Sequence, residues 1–276
     1  MEKFSLLMSV YDGETPEFLE EAFQSLLQST ILPDQIVMVL DGPISHNLQA
    51  ILEKYEKEFT HFTKVSLETN QGLGVALAVG VEACQYDLIA RFDCDDILLP
   101  NRFQLQLDYF ERHAELDLLG GQILEFSATN EFGQRRVPVD QDTIVTFAKK
   151  RNPFNHMTVM FRKTAIMAAG NYIPLKGYED YYLWLRLLKA GARVANLPDV
   201  LVRARVGSGF STRRGGSKYL LQTIQAISRF EKEGLLSKSS ALYRVLSHSL
   251  IILLPTGCRE FLYRTILRRN EATNNH

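Results

Sequence analysis

The chain has 276 residues, 46% of them apolar and 23% charged, a composition that excludes disorder, collagen-like repeats and a disulfide scaffold. A net charge of −1 conceals a division: residues 1–200 carry 18 Lys+Arg against 28 Asp+Glu, whereas residues 201–276 carry 13 against 4. A basic terminal quarter on an acidic body points to an anion handled there, a phosphate, a lipid headgroup or nucleic acid, unless it is simply a solvated basic face. Cys84, Cys94 and Cys258 are scattered and form no CxxC pair, so no zinc site or disulfide framework is legible and a reducing, cytoplasmic setting is expected. Residues 1–10 lack the long apolar core of a signal peptide, and secretion is not expected.

In chain order, an apolar run at 4–9 reads as a first strand and 16–28 as a helix, with Thr15 as N-cap and Pro16 at the first helical position. Residues 35–40 read as a second strand, 48–59 as an amphipathic helix, and 62–67 as a third strand. A glycine-rich turn, Asn70-Gln71-Gly72-Leu73-Gly74, opens a helix over 75–84, and 88–92 is the fourth strand. Strands alternating with helices predict an α/β fold, a mostly parallel sheet covered on both faces. Ligands of such sheets bind beyond the carboxyl ends of the strands. The second half reads as a helix at 103–113, strands at 118–126 and 158–162, and a helix at 178–190 stopped by Gly191. After Gly215-Gly216 the pattern is helical nearly to the end, interrupted at Gly234 and at Pro255-Thr256-Gly257. The apolar window 246–254 is far short of the roughly 20 residues a membrane span requires. Residues 261–269 are apolar on one side and basic on the other, which suits an anionic membrane surface or a helix packed on the body.

The sharpest chemical signal is Arg91-Phe92-Asp93-Cys94-Asp95-Asp96. An apolar strand there runs into three carboxylates within four residues, which repel one another unless protons or a cation intervene. Mg²⁺ and similar hard cations take carboxylate and phosphate oxygens, so an Asp-x-Asp at a strand end suits a metal–diphosphate clamp. The bland alternative is a polar turn with Asp96 capping the next helix. The first strand ends in Val10-Tyr11-Asp12-Gly13-Glu14 and the second in Asp41-Gly42-Pro43, a turn signature whose aspartate suits a base or ribose. The Asn70–Gly74 turn is neither a phosphate loop nor a dinucleotide fingerprint, because Leu77 takes the third glycine position. Gly177-Tyr178-Glu179-Asp180 opens a helix, where acids are favoured by the dipole alone or serve as a general base in a cleft. Asn152-Pro153-Phe154-Asn155-His156 precedes a strand and brings His156 to the same cleft. Arg203, Arg205, Arg213 and Arg214 crowd a glycine- and serine-rich segment at 206–216, fit for a diphosphate and a closing loop.

Taken together, these residues resemble family 2 glycosyltransferases of the GT-A fold, of the bacterial type that builds exopolysaccharide or O-antigen, over roughly residues 4–216. The strand-one turn, with Tyr11 and Glu14, looks like the family's nucleotide-binding turn. Leu40-Asp41-Gly42-Pro43 is similar to its Asp-Asp-Gly-Ser turn, with Leu40 and Pro43 replacing the first Asp and the Ser. Asn70 and Gly72 resemble the Asn-x-Gly element. The segment from Arg91 to Asp96 matches the metal motif, and Glu179-Asp180 the Glu-Asp element, whose aspartate is the base. Arg205 stands where the family often has a metal-ligating His.

The resemblance implies an inverting glycosyltransferase with Asp180 and Glu179 as catalytic residues and Asp93 and Asp95 holding Mg²⁺ or Mn²⁺. It implies contacts to a nucleotide-sugar donor, a UDP-sugar, from Tyr11, Glu14, Asp41, Asn70, Gly72, Arg91, Asp93, His156, Arg205, Arg213 and Arg214. A glycan or polyprenyl-diphosphate-linked acceptor, no nucleic acid, and a cytoplasmic place with peripheral contact at the inner membrane face are expected. Residues 1–214 are expected to form the GT-A domain and 215–276 a basic helical extension. The rival readings are a sugar-phosphate nucleotidyltransferase, which would normally carry a Gly-rich, basic loop where Tyr11 to Glu14 stand, and a non-catalytic nucleotide-sugar-binding protein.

Overall fold

The computed structural model describes residues 1–127, 129–206 and 216–253. The first half runs β1 (Phe4–Val10), α1 (Pro16–Leu27), β2 (Gln35–Leu40), α2 (His46–Tyr55), β3 (Phe62–Ser66), α3 (Leu73–Ala83) and β4 (Leu88–Arg91). These four strands lie in the order β3-β2-β1-β4 and pair in parallel, with Val10 beside Leu40 and Leu7 beside Arg91. Period-two alternation explains why β1 sits in the middle. Phe4, Leu6, Met8 and Val10 enter a core with α1 and α2, while Leu7 enters the opposite core with Val37, Val39 and the α3 residues Ala76, Leu77 and Val81. Pro16 begins α1 as expected, and the Thr15 carbonyl, rather than its hydroxyl, accepts from Phe18 and Leu19.

The second half contains β5 (Ile97–Leu98), α4 (Arg102–Arg112), β6 (Leu118–Phe126), β7 (Glu131–Arg135), α5 (Gln141–Ala148), a 3₁₀ turn (His156–Thr158), β8 (Met160–Arg162), α6 (Lys163–Ala168), α7 (Glu179–Lys189) and β9 (Val194–Arg205). It extends the sheet as β4-β8-β6-β9-β5, with β7 on β6. Among these pairings only β6–β9 is parallel. The parallel expectation therefore holds for β1 to β4, and the far half of the sheet is mixed. β8 pairs antiparallel with both β4 and β6.

The terminal region supplies α8 (Ser217–Lys232) and α9 (Lys238–Leu253), parted at Gly234 as the sequence indicates. This hairpin packs on the body: Ala226, Phe230 and Leu236 share a buried cluster with Ala148, Tyr178, Tyr181, Tyr182 and Leu185. Among the described residues, no helix is long and apolar enough to cross a membrane. The amphipathic segment at 261–269 lies outside the described residues.

Candidate active site

Parallel pairing brings the carboxyl ends of β1, β2 and β4 side by side, and each end turns in a short polar segment. At β1 the turn closes through Glu14 N–H donating to Tyr11 O at 3.1 Å, leaving Tyr11 exposed. At β2, Asp41 is buried, and its two carboxylate oxygens accept from the backbone N–H of Gln71 (2.7 Å) and Gly72 (2.9 Å). Asp41 thus clamps the Asn70–Gly72 turn, in which Gly72 takes φ +88° to start α3 and Asn70 is exposed.

The acidic turn after β4 is built on two buried arginines. Arg91, 2% exposed, donates in bidentate fashion to Asp93, with one contact at 2.5 Å. Arg102, wholly buried on α4, donates to the carbonyls of Arg91 (2.7 Å) and Met157 (2.8 Å), and tethers the end of β4 to the segment before β8. Burial holds its guanidinium down to about 9. From the other side Arg205, at the end of β9, donates its backbone N–H to Asp96 Oδ1 (2.7 Å) and its Nε to the Asp95 carbonyl (2.9 Å). Its guanidinium also pairs with Glu21 and lies over the Phe18 ring, 4.0 Å from the centroid. Arg91 and Arg205, expected at the donor, both brace the acidic turn. Asp96 is no helix cap, since Asn101 takes that position for α4 and Asp96 is bound to β9.

The result is three carboxylates, Asp93, Asp95 and Asp96, each with an oxygen within 4.8 Å of the others. Burial, followed by repulsion from Asp93 and Glu14, pushes the Asp95 carboxyl up to about 7. Asp96 is also raised well above the usual carboxylate range, by burial first and then by Asp93 and Asp95, and its Oδ2 is buried without a partner. Burial also raises Glu14, with Asp93 adding to the effect. Crowded, desolvated oxygen ligands of one sign, one of them unpaired, fit a hard divalent cation such as Mg²⁺ or Mn²⁺.

Opposite this turn stands the first turn of α7. Asp180 Oδ1 accepts from Tyr181 N–H at 2.6 Å and Oδ2 from Asn152 Nδ2 at 2.6 Å. Glu179 accepts from Tyr178 N–H at 3.0 Å. Burial holds both carboxyls above the usual carboxylate range, with Asp180 adding to the effect on Glu179. Tyr172 lies between the two acidic groups, within the electrostatic reach of Arg91, Asp93, Glu179 and Asp180. Its hydroxyl and His156 Nε2 are 2.9 Å apart. His156 does reach this side of the sheet, but it packs edge-on against Trp184, and burial, aided by Arg91, drives it to the neutral form. Tyr172 and Arg102 stand in no motif of the sequence, and Asn152 is marked there only as the start of the Asn152–His156 segment. Arg213 and Arg214, expected at the diphosphate, lie outside the described residues.

A profile of "Glycosyl transferase family 2" matches residues 5–171. The chain is 43% identical over 222 residues to the "Amylovoran biosynthesis glycosyltransferase AmsE" of Erwinia amylovora, covering 80% of this chain and 83% of the relative. It is 34% identical over 269 residues to the Escherichia coli "UDP-Gal:alpha-D-GlcNAc-diphosphoundecaprenol beta-1,3-galactosyltransferase", covering 97% of each. Among solved structures, S. aureus TarS 1-349 in complex with UDP-GlcNAc aligns with TM-score 0.66 at 19% identity, over 97% of this chain and 77% of that one. The mannosyltransferase PcManGT from Pyrobaculum calidifontis, in complex with GDP-Man and Mn²⁺, aligns with TM-score 0.64 at 12% identity, over 100% and 76%. With a GT-A sheet, acidic residues at the carboxyl edge and a family match over more than half its length, the chain belongs to glycosyl transferase family 2.

Proposed function

We propose that the chain is a metal-dependent, inverting glycosyltransferase. It moves a sugar from a nucleoside-diphosphate donor, a UDP-sugar, to a hydroxyl of a growing, polyprenyl-diphosphate-linked glycan in surface polysaccharide synthesis. The observation that carries this reading is the pairing of two acidic groups across one sheet edge: three crowded carboxylates on β4's turn and a single desolvated Asp180 on α7. The diphosphoundecaprenol acceptor and the amylovoran role in the names of the two relatives support the acceptor class. The UDP-GlcNAc and Mn²⁺ complexes of the fold neighbours support the donor and the cation.

In this reading Asp93, Asp95 and Asp96 hold Mg²⁺ or Mn²⁺, which when bound offsets negative charge on the departing nucleoside diphosphate. Arg91 keeps Asp93 turned toward that position. Tyr11, Glu14, Asn70 and Gly72 border the nucleoside, and Asp41 shapes its pocket by holding the Gly72 turn. Asp180, poised by burial and oriented by Asn152 and Tyr181 N–H, takes the proton from the acceptor hydroxyl as it attacks the anomeric carbon from the face opposite the leaving group. One displacement inverts that carbon. Glu179 supports the same turn. Residues 1–214 form the catalytic domain in this scheme, and 215–276 an extension in peripheral contact with the cytoplasmic membrane face.

The test uses radiolabelled UDP-sugars with Mn²⁺ and a polyprenyl-diphosphate-linked acceptor. Transfer is expected in Mn²⁺ and lost in excess EDTA, and Asp180→Asn should lower kcat by about 10²–10⁴-fold, the range for a positioned base, with donor affinity unchanged. Pyrophosphate-dependent formation of UTP instead of UDP release would make the chain a nucleotidyltransferase. Donor binding with neither reaction would make it a binding protein.

A further inference from the structure

Arg244 lies on α9, in the terminal hairpin, yet it is only 3% exposed and its guanidinium lies 4.4 Å from the Tyr181 ring centroid. Its Nη1 donates to Tyr181 Oη, and the Tyr181 hydroxyl donates in turn to the carbonyl of Ala148 at the end of α5. No carboxylate pairs with Arg244 among the described residues, its Nε has no partner, and burial pulls the guanidinium below its ordinary range. A buried cation without an anion opposes folding, and a Met would fill the space beside the Tyr181 ring at lower cost. What the guanidinium does supply is a link. Tyr181 follows Asp180 and donates its N–H to that carboxylate. Ala148 ends the helix that leads into Asn152, the other donor to Asp180. The two groups that orient Asp180 therefore come from two different elements, and the Arg244–Tyr181–Ala148 chain ties those elements together.

We propose that Arg244 is a positioning residue for Asp180: through the Tyr181 hydroxyl, the terminal hairpin fixes the α7 turn against the α5 end so that Asn152 and Tyr181 N–H grip the carboxylate together. The inference rests on the reading of Asp180 as the base. Misplacement of a catalytic group by an ångström costs up to about 10²-fold in rate, while the donor edge on β1, β2 and β4 is untouched.

The experiment is a double-mutant cycle on the full chain with Arg244→Met, Tyr181→Phe and both, with Arg244→Lys and Asp180→Asn alongside. Tyr181→Phe keeps the ring and its packing, so it reports even if Arg244→Met fails to fold. Each single variant should lower kcat about 10-fold, leave the Kd for the UDP-sugar within twofold, and show no further loss in the double variant, as expected for two members of one chain. Arg244→Lys should recover part of the rate. Wild-type kcat in Tyr181→Phe, multiplying losses in the double variant, or kcat and donor affinity falling together would overturn the positioning role. Full turnover in Asp180→Asn would instead overturn the base assignment, and the two failures are thereby distinct.

Discussion

Asp95 shows how a single residue ties folding to ligand. Its carboxyl is pushed up to about 7 by burial and by Asp93 and Glu14, against an ordinary value of about 4. The folded state therefore binds this proton more tightly than the unfolded state between those limits. Its favourable contribution is complete below about pH 4 and is lost as pH rises through about 7; Asp96 shifts the same way. Metal-free protein should accordingly lose thermal stability between about pH 5 and pH 8, and Mn²⁺ should raise Tm more at pH 8, where ionised carboxylates await it. Asp95→Asn removes one repelling charge, so in EDTA at pH 8 it should melt above wild type and stop responding to Mn²⁺. Scanning fluorimetry decides the matter, and equal Mn²⁺ shifts for variant and wild type would falsify the assignment of Asp95 to the cation. At this scale the sequence was informative about residue type and less so about direction. Arg91 reads as a donor contact because it borders the acidic turn, and the structure adds that its buried guanidinium grips Asp93. Asp41 reads as an open acceptor, yet two backbone amides from a loop thirty residues on occupy it; a contact of that span has no local pattern.

At the scale of elements, β1, β2 and β4 were legible because each is a largely apolar run leading into an aspartate turn, and β2 matches its expected bounds of 35–40; β3, with Thr63, Lys64 and Ser66, carries a weaker β-branched and aromatic signal. β9 was not legible, because Pro198 and Asp199 interrupt its apolar pattern; the strand continues only through register shifts against β6. β7 is a polar edge strand, and α5 is two turns long, so neither offers enough periodicity. The turns at the carboxyl edge of the sheet depend on glycines at the strand ends. Gly42 has φ +87°, and a Cβ there would stand 2.6 Å from the Asn70 backbone N. Gly191 has a similar φ of +84° but open space around it. Gly191→Ala should therefore cost only the backbone strain, about 1 kcal/mol. Gly42→Ala should cost more, about 2–4 kcal/mol once the clash is added, and should weaken donor binding because the Asn70–Gly72 turn must move. Urea unfolding of both variants measures the difference; equal midpoints would mean that the Gly42 turn yields freely.

At the scale of the whole molecule, the charge division of the sequence acquires a location. In the proposed function the acidic edge of the sheet faces the donor, and the basic quarter begins with a hairpin docked on the helix that carries Asp180. The outward face of α9 presents Leu242, Leu246 and Leu250, 60%, 62% and 71% exposed and one turn apart, with no acidic residue in the helix. Beyond it the sequence carries Arg259, Arg264, Arg268 and Arg269, all outside the described residues. The proposed polyprenyl-diphosphate-linked acceptor would be anchored in a bilayer and would require that surface close to the active site, and basic residues beside a membrane contribute about 1 kcal/mol each. Four would hold the protein reversibly, with screening by salt. Flotation with anionic vesicles should thus carry the protein at low salt and release it at about 0.5 M salt, where the Debye length falls to a few ångströms. Replacing the four arginines with Gln should strongly weaken binding to anionic vesicles at low salt and remove its salt dependence. Leu246→Glu with Leu250→Glu should weaken binding to neutral vesicles as well, because that term is apolar burial rather than charge. Flotation of every variant to the same extent as wild type, or of none, would assign the basic quarter to packing on the body alone, as its first half already does through Phe230 and Arg244.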